Sequence, residues 1–344
     1  MSQYEVTIGI PVYNIERYVA RAIESALGQT FESIEILVLD DCGTDGSMDI
    51  VRRYQRSHPR GCHIRIVRQP ENMGLGQARN RIVAEARGRY LYHLDGDDAI
   101  VPDTIALLHA EMVRHQAQLV YGSYKRVYED GSTPPRQCVY PYRVFTQQGE
   151  FATFVYQRYD ALQANTWNFL IDIRVYRDNH IGHQPVNFWE DFTFTMDLPT
   201  YVTRVVMLPR ITYIYYMRAN TLSNTQQRTH IDKAEIQATI HAMQAVKDAS
   251  SRISGQTYFP MRMYKVMLTC FYVVCSILRH RAVISPAFTP REIRDVMASP
   301  LSLAEVLRLR RWRLRNLALY ALSVMPPRLS VACMWAAARA RHLI

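Results

Sequence analysis

The chain has 344 residues, with 41 Lys and Arg against 31 Asp and Glu and a formal net charge of +10. Hydrophobic residues at 48% and charged residues at 21% exclude a disordered, collagenous or low-complexity protein, and the length suits one large α/β domain or two ordinary ones. The basic excess is local: residues 301–344 hold eight arginines and one acid, so +7 of the +10 lies there and +3 on the first 300 residues.

Val6–Val12 reads as a strand, and Glu16–Gln29 has helical spacing at Val19, Ala22, Ile23, Ala26 and Leu27. Ile34–Leu39 is a near-continuous apolar strand that stops at Asp40-Asp41, and Asp45 or Ser47 is placed to cap a helix running to about Ser57. Ile64–Val67 is a third strand, Leu75–Ala86 a third helix, and Tyr90–Leu94 a fourth strand ending at Asp95. Strands alternating with helices indicate βαβ units and a mostly parallel sheet. Ligands gather at the carboxyl ends of such strands. Here those ends carry Pro11-Val12-Tyr13-Asn14, Asp40-Asp41 and Asp95-Gly96-Asp97-Asp98.

Further along, aromatic-rich strands are expected at Leu119–Tyr128, Phe169–Tyr176 and Val202–Tyr216. Helices are expected at Ile231–Ser250, Phe259–Arg279, Pro290–Met297 and Leu303–Leu322. A boundary near residue 228 divides an α/β region, 1–228, from a helical one, 229–344. The six cysteines (42, 62, 138, 270, 275, 333) make no CxxC pair or zinc spacing and read as reduced, mostly buried thiols of a cytosolic protein. The N-terminal residues show no signal-peptide pattern. The longest apolar runs, near Val266–Leu278 and Leu317–Met325, fall short of the ~20 residues that span a bilayer.

Three carboxylates within four positions after a strand repel one another unless a cation sits among them, and hard divalent ions prefer oxygen ligands. A polar turn capping the helix from Pro102 explains the same residues. Asp40 and Asp41 precede their turn and are not needed for capping, which leaves them free to accept from a nucleobase or ribose. Asn72–Asn80 contains Gly-x-Gly, but Arg79 stands at the third glycine position and the segment follows the third strand, against a dinucleotide fold. Arg79 at a helix start is placed to approach a nucleotide or to be a surface arginine.

Taken in register, these segments resemble a family 2 glycosyltransferase of the GT-A fold. The matching residues are Ile10-Pro11-Val12-Tyr13-Asn14, Ser25-x-x-x-Gln29-Thr30, Asp40-Asp41-x-x-Thr44-Asp45-x-Ser47, Asn72-x-Gly74-x-x-x-Ala78-Arg79-Asn80 and Asp95-x-Asp97-Asp98, with sparser matches at Trp167-Asn168, Glu190-Asp191 and Tyr216-x-Arg218-x-x-x-x-Ser223. The resemblance implies transfer of a sugar from a nucleotide diphosphate sugar, a UDP-sugar favoured, to an acceptor hydroxyl with inversion. It further implies that Pro11, Tyr13, Asp41 and Arg79 surround the nucleoside and that Asp95, with Gly96 beside it, contacts the ribose or donor sugar. Asp97, with Asp95, would hold Mg²⁺ or Mn²⁺ on the diphosphate, and Asp191 matches the catalytic base. Arg218 would add charge on the diphosphate side.

Cys42-Gly43 replaces the family's usual Gly-Ser, and Phe169 stands where Lys is frequent, in a region expected to face donor sugar or acceptor. Trp167, Phe188 and Trp189 suit sugar stacking or core packing. The acceptor is expected to be a glycan or lipid-linked glycan of bacterial surface polysaccharide or glycolipid synthesis. Interleaved Arg, Leu and Trp in 301–344 suit an anionic membrane surface at its cytoplasmic face, or a solvated helix packing on the rest of the protein. No nucleic-acid reader motif is present. Two other readings stand beside this one: an inactive membrane-bound scaffold of the same fold, and a nucleotidyltransferase, which should carry a basic Gly-rich N-terminal loop that Gly9–Asn14 lacks.

Overall fold

The computed structural model describes residues 4–134, 137–158, 165–186, 190–218 and 230–344. The chain enters on β1 (Tyr4–Val12), α1 (Val19–Leu27), β2 (Ile34–Asp40), α2 (Ser47–Ser57), β3 (Ile64–Arg68), α3 (Leu75–Glu85) and β4 (Gly88–His93). It continues through β5 (Ala99–Ile100), α4 (Thr104–Arg114), β6 (Leu119–Tyr128), β7 (Arg143–Phe145) and α5 (Glu150–Arg158). Next come β8 (Phe169–Asp172), α6 (Arg174–Asn179), α7 (Glu190–Asp197) and β9 (Val205–Met217).

Among the described residues these strands form a nine-stranded sheet in the order β3-β2-β1-β4-β8-β6-β9-β5, with β7 also on β9. The long ladders are parallel, joining β3, β2, β1 and β4, and β6 with β9. β8 runs antiparallel between β4 and β6, and β5 and β7 are antiparallel to β9. The architecture is α/β with a mostly parallel central sheet flanked by helices, followed by a helical C-terminal region. All seven residues of β2 are buried, as a parallel strand covered on both faces requires. On α1, Val19, Ala22, Ile23, Ala26 and Leu27 form one buried stripe that packs into the core around Ile8, Ile10, Val38 and Leu94. Burying the Val19, Ile23 and Leu27 side chains contributes about 1.5–3 kcal/mol each relative to leaving them exposed.

The parallel register brings three strand ends to one edge. Val12 pairs with Asp40, Gly9 with His93, and the Leu94 amide donates to the Gly9 carbonyl at 3.0 Å. Two segments differ from the sequence-based expectation. Phe169–Tyr176 is a strand only to Asp172, after which α6 begins, with Asp172 accepting from the Arg174 amide at 3.0 Å. The helix expected over Leu303–Leu322 breaks at Trp312, which sits in the left-handed region at φ 59°.

The described chain packs as two compact units. One comprises Met1–Phe151, Ala164–Pro185 and Glu190–Thr221; the other comprises Ala152–Gln163, Val186–Trp189 and Leu222–Ile344. The second unit contains β10 (Ile231–Asp232), α8 (Lys233–Ala249), α9 (Phe259–Arg279), β11 (Ile284–Ser285), α10 (Pro290–Val296), α11 (Leu303–Arg308), α12 (Arg313–Val324) and α13 (Pro327–Ala340). Its α9 is 21 residues long and apolar enough to cross a membrane by length and composition, although two thirds of its most apolar stretch is buried within the protein. Buried Arg262 of α9 donates to the Ser250 hydroxyl (3.0 Å), the Tyr156 hydroxyl (3.1 Å) and the Val246 carbonyl (3.3 Å). Helices α8, α10, α12 and α13 pack on α9. All six cysteines are free; Cys270 and Cys275 are buried, whereas Cys62 is exposed and the other three are half-buried, fewer buried thiols than expected.

Candidate active site

The acidic turn after β4 divides its three carboxylates among three partners. Asp95 Oδ1 accepts from Arg79 Nη2 at 2.8 Å. Asp97 is ion-paired with the guanidinium of Arg218 at the end of β9. Asp98 is buried, accepting from the Tyr213 hydroxyl at 2.7 Å and the Tyr216 amide at 2.8 Å. Burial first, and then the nearby charge of Asp95, push its carboxyl up to about 8. Asp98 is therefore a structural tie between the turn and β9, a role that local sequence does not announce.

Arg79 rises from the second turn of α3 and is 1% exposed. Its Nη1 lies 2.5 Å from Asp191 Oδ1 and 3.4 Å from Glu190 Oε1, on the first turn of α7. Thr166 donates to the same Asp191 Oδ1 at 2.7 Å. Burial opposes the charge on Arg79, but Asp191, Asp95 and Glu190 together outweigh it and hold the guanidinium protonated. Burial, followed by repulsion from Asp191, pushes Glu190 up to about 8. Asp191 is raised above the ordinary range, by burial first, with Arg79 opposing and Asp95 adding to the effect. Its side chain is 24% exposed. Asp191 is the second residue of α7, and its carboxylate engages the side chains of Arg79 and Thr166. The resemblance puts Arg79 around the nucleoside, and the residues alone leave a surface arginine open; the structure buries its guanidinium among three carboxylates, two of them over a hundred residues away.

At the ends of β1 and β2, Tyr13 is exposed and Pro11 buried. A Cβ on Gly96 would lie 2.8 Å from the Pro11 carbonyl oxygen, so glycine there lets the acidic turn close on β1. Asp41 is buried, and its two oxygens accept from the Met73 amide (3.0 Å) and the Gly74 amide (3.1 Å), fixing the loop that starts α3. Cys42, where the family usually has Gly, occupies the left-handed region at φ 61°, so the turn keeps its form without a glycine. Asp45 accepts from the Ser47 amide at 3.1 Å, but the cap position of α2 falls to Gly46 and Ser47 is the first helical residue, so neither Asp45 nor Ser47 caps the helix.

Around Asp97, the Arg218 guanidinium lies 4.2 Å from the Tyr18 ring centre, Arg21 lies over the Tyr216 ring, and Arg21 donates to the Asp97 carbonyl. Trp167 packs in the core, stacked on Tyr213 with ring centres 4.3 Å apart. Phe169 is fully buried against Tyr121, so it faces the core and not a sugar. Phe188, Trp189 and Ser223 lie outside the described residues.

The family model described as glycosyl transferase family 2 matches residues 7–180, just over half of the chain. The chain belongs to glycosyl transferase family 2. This family 2 chain is 27% identical over 256 residues to chondroitin synthase of Escherichia coli, covering 74% of itself but 34% of that protein. It is 29% identical over 230 residues to the uncharacterized glycosyltransferase EpsJ of Bacillus subtilis, covering 66% of itself and 65% of EpsJ. It therefore spans only part of the curated relatives it matches. In fold it is similar to S. aureus TarS 1–349, with TM-score 0.62, 16% identity and coverage of 93% of this chain and 90% of that one. TarS 1–349 has also been solved with UDP-GlcNAc, at TM-score 0.58 to this chain.

Proposed function

We propose that this family 2 chain transfers a sugar from a UDP-sugar to an acceptor hydroxyl with inversion, in the synthesis of a bacterial surface polysaccharide or glycolipid. The observation that carries this reading is the partly exposed Asp191, raised in pKa and facing the same cation as Asp95 at the end of β4. A raised carboxylate suits a general base, whose contribution is typically about 10²–10⁴-fold. Asp191 takes the hydroxyl proton as the new C–O bond forms at the anomeric carbon. The bond to the diphosphate breaks, and its electron pair leaves with the diphosphate.

Pro11, Tyr13 and Asp41 at the ends of β1 and β2 are the nucleoside side of this reading, and Asp95 and Gly96 the ribose or donor-sugar side. Among the described residues no cluster of three or more His, Cys, Asp or Glu ligands forms. Mg²⁺ commonly takes one or two carboxylates and completes its shell with phosphate oxygens and water. The part-exposed Asp97 carboxylate, already facing one cation in Arg218, fits that role, with Asp95 as second donor. A bound Mg²⁺ or Mn²⁺ would supply Lewis-acid stabilisation of the departing diphosphate. Arg218 remains on the diphosphate side. The comparison supporting the donor class is TarS, solved with UDP-GlcNAc.

The test is calorimetric titration of UDP with Mn²⁺ and a UDP-release assay over a panel of UDP-sugars. Asp191→Asn should abolish release while UDP binding persists, and Asp97→Ala should remove the Mn²⁺ dependence of binding. A wild-type protein that binds no UDP with either metal would sink the proposal, and UDP binding without any release would favour the inactive scaffold.

A further inference from the structure

Arg79 is buried and already committed at both terminal nitrogens, while its Nε, also buried, has no hydrogen-bond partner among the described residues. Both terminal nitrogens face carboxylates, at 2.5 and 3.4 Å for Nη1 and 2.8 Å for Nη2. The geometry points to a different role: Arg79 and Thr166 are positioning residues that lock Oδ1 of Asp191 and leave Oδ2 as the oxygen that takes the acceptor proton. This assignment rests on the proposed reading of Asp191 as base.

Three observations carry it. First, Oδ1 receives two donors, Arg79 Nη1 at 2.5 Å and the Thr166 hydroxyl at 2.7 Å, whereas Oδ2 has no hydrogen-bond partner among the described residues. Two donors on one oxygen fix both torsions of so short a side chain, and the exposed part of Asp191 is then the Oδ2 side. Second, the guanidinium is itself held. The Asn80 side chain and the His183 main chain exchange two hydrogen bonds of 2.8 Å, clasping α3 to the 181–185 loop, while Asp41 holds the loop ahead of α3. Third, one guanidinium joins Asp95, expected on the donor side, to Asp191, expected on the acceptor side, so it sets the distance between donor and base. A rigid planar fork does this where a flexible ammonium does not. A base displaced from its near-attack position loses rate without losing ligand.

The variants are Thr166→Val, Arg79→Lys and Arg79→Met, each measured for UDP affinity by calorimetry with Mn²⁺ and for UDP release from the UDP-sugar that the wild type turns over. Thr166→Val keeps every charge in place and should lower kcat about 10-fold, with KM for donor and Kd for UDP within about twofold of wild type, as expected for lost orientation alone. Arg79→Met should lower kcat by about 10²-fold or more, again with UDP affinity retained, and Arg79→Lys should recover only part of the loss. If Arg79→Met fails to fold because buried carboxylates lose their cation, Thr166→Val and Arg79→Lys decide the matter. A rise in Kd for UDP that matches the loss of turnover would overturn the assignment and return Arg79 to the nucleoside. Unchanged kcat in Thr166→Val would overturn it as well. Absence of UDP binding by the wild type would remove the functional reading, and this assignment with it.

Discussion

His93 ends β4 two residues before Asp95, and neither its ring nitrogens nor those of buried His183 have a partner among the described residues. Their rings lie 6.3 Å apart, and His183 stacks on Phe194 at 4.6 Å. Unpaired buried nitrogens of this kind are where ordered water is expected. Burial, and secondarily Arg79, lower both imidazoles, His93 to about 3 from an ordinary 6.5 and His183 well below its ordinary value. The unfolded chain therefore binds protons below about pH 6.5 that the folded protein refuses, so these two residues make stability fall as pH drops from about 6.5 towards 3. Glu190 and Asp98, raised to about 8, act in the opposite sense, lowering stability as pH climbs from the ordinary carboxylate range to about 8. The difference between wild type and a His93→Phe/His183→Phe variant isolates the histidines. Urea unfolding at pH 7, 6 and 5 should show a shallower acid decline in the variant, and parallel declines would refute the neutral assignment.

Helix α3 shows how an element delivers a side chain. A Cβ on Gly76 would lie 2.5 Å from the Gln184 carbonyl oxygen, a backbone atom that cannot swing aside. Gly76→Ala should therefore push the 181–185 loop from α3 and cost about 1–3 kcal/mol in urea unfolding, as overpacking does. It should also lower UDP release, because Arg79 moves with the helix; full stability and activity would show that the loop yields freely. The Gly-x-Gly of this segment thus serves the fold, Gly76 by close packing and Gly74 by its left-handed backbone at φ 81° ahead of α3. Strands β1 to β4 and their helices were legible because each carries its own apolar period, and their boundaries shift by only a few residues. The strand expected over Phe169–Tyr176 ends at Asp172, and the antiparallel place of β8 between β4 and β6 depends on partners distant in sequence. For the same reason the carboxylates of the site were legible as motifs, but the pairing of Arg79 with Asp191, 112 positions away, was not.

For the whole molecule, the charge partition of the sequence acquires a surface. All eight arginines of 301–344 are exposed, alongside exposed Leu303, Leu307, Val324, Leu329, Trp335 and, at 76% exposure, Leu314. Asn316, Leu319, Met334 and Ala338 are buried, so α12 and α13 have an inner face as well. We expect the outer face to bind anionic lipid, with leucines and Trp335 entering the headgroup region and arginines meeting phosphates. Sedimentation with phosphatidylserine-containing vesicles, reversed by raised salt and absent with phosphatidylcholine alone, is the expected outcome. Leu307→Ser/Leu314→Ser/Trp335→Ser should weaken it, and equal sedimentation with both lipids, or with neither, would refute it. The Arg79 cluster has a kinetic consequence. Asp95, 16 positions from Arg79, comes within reach once β4 forms, whereas Asp191 must arrive across a long closed loop whose entropy is repaid late. During refolding from urea, native-like far-UV signal should therefore precede recovery of turnover, making enzymatic activity a reporter of the last long-range contact to close.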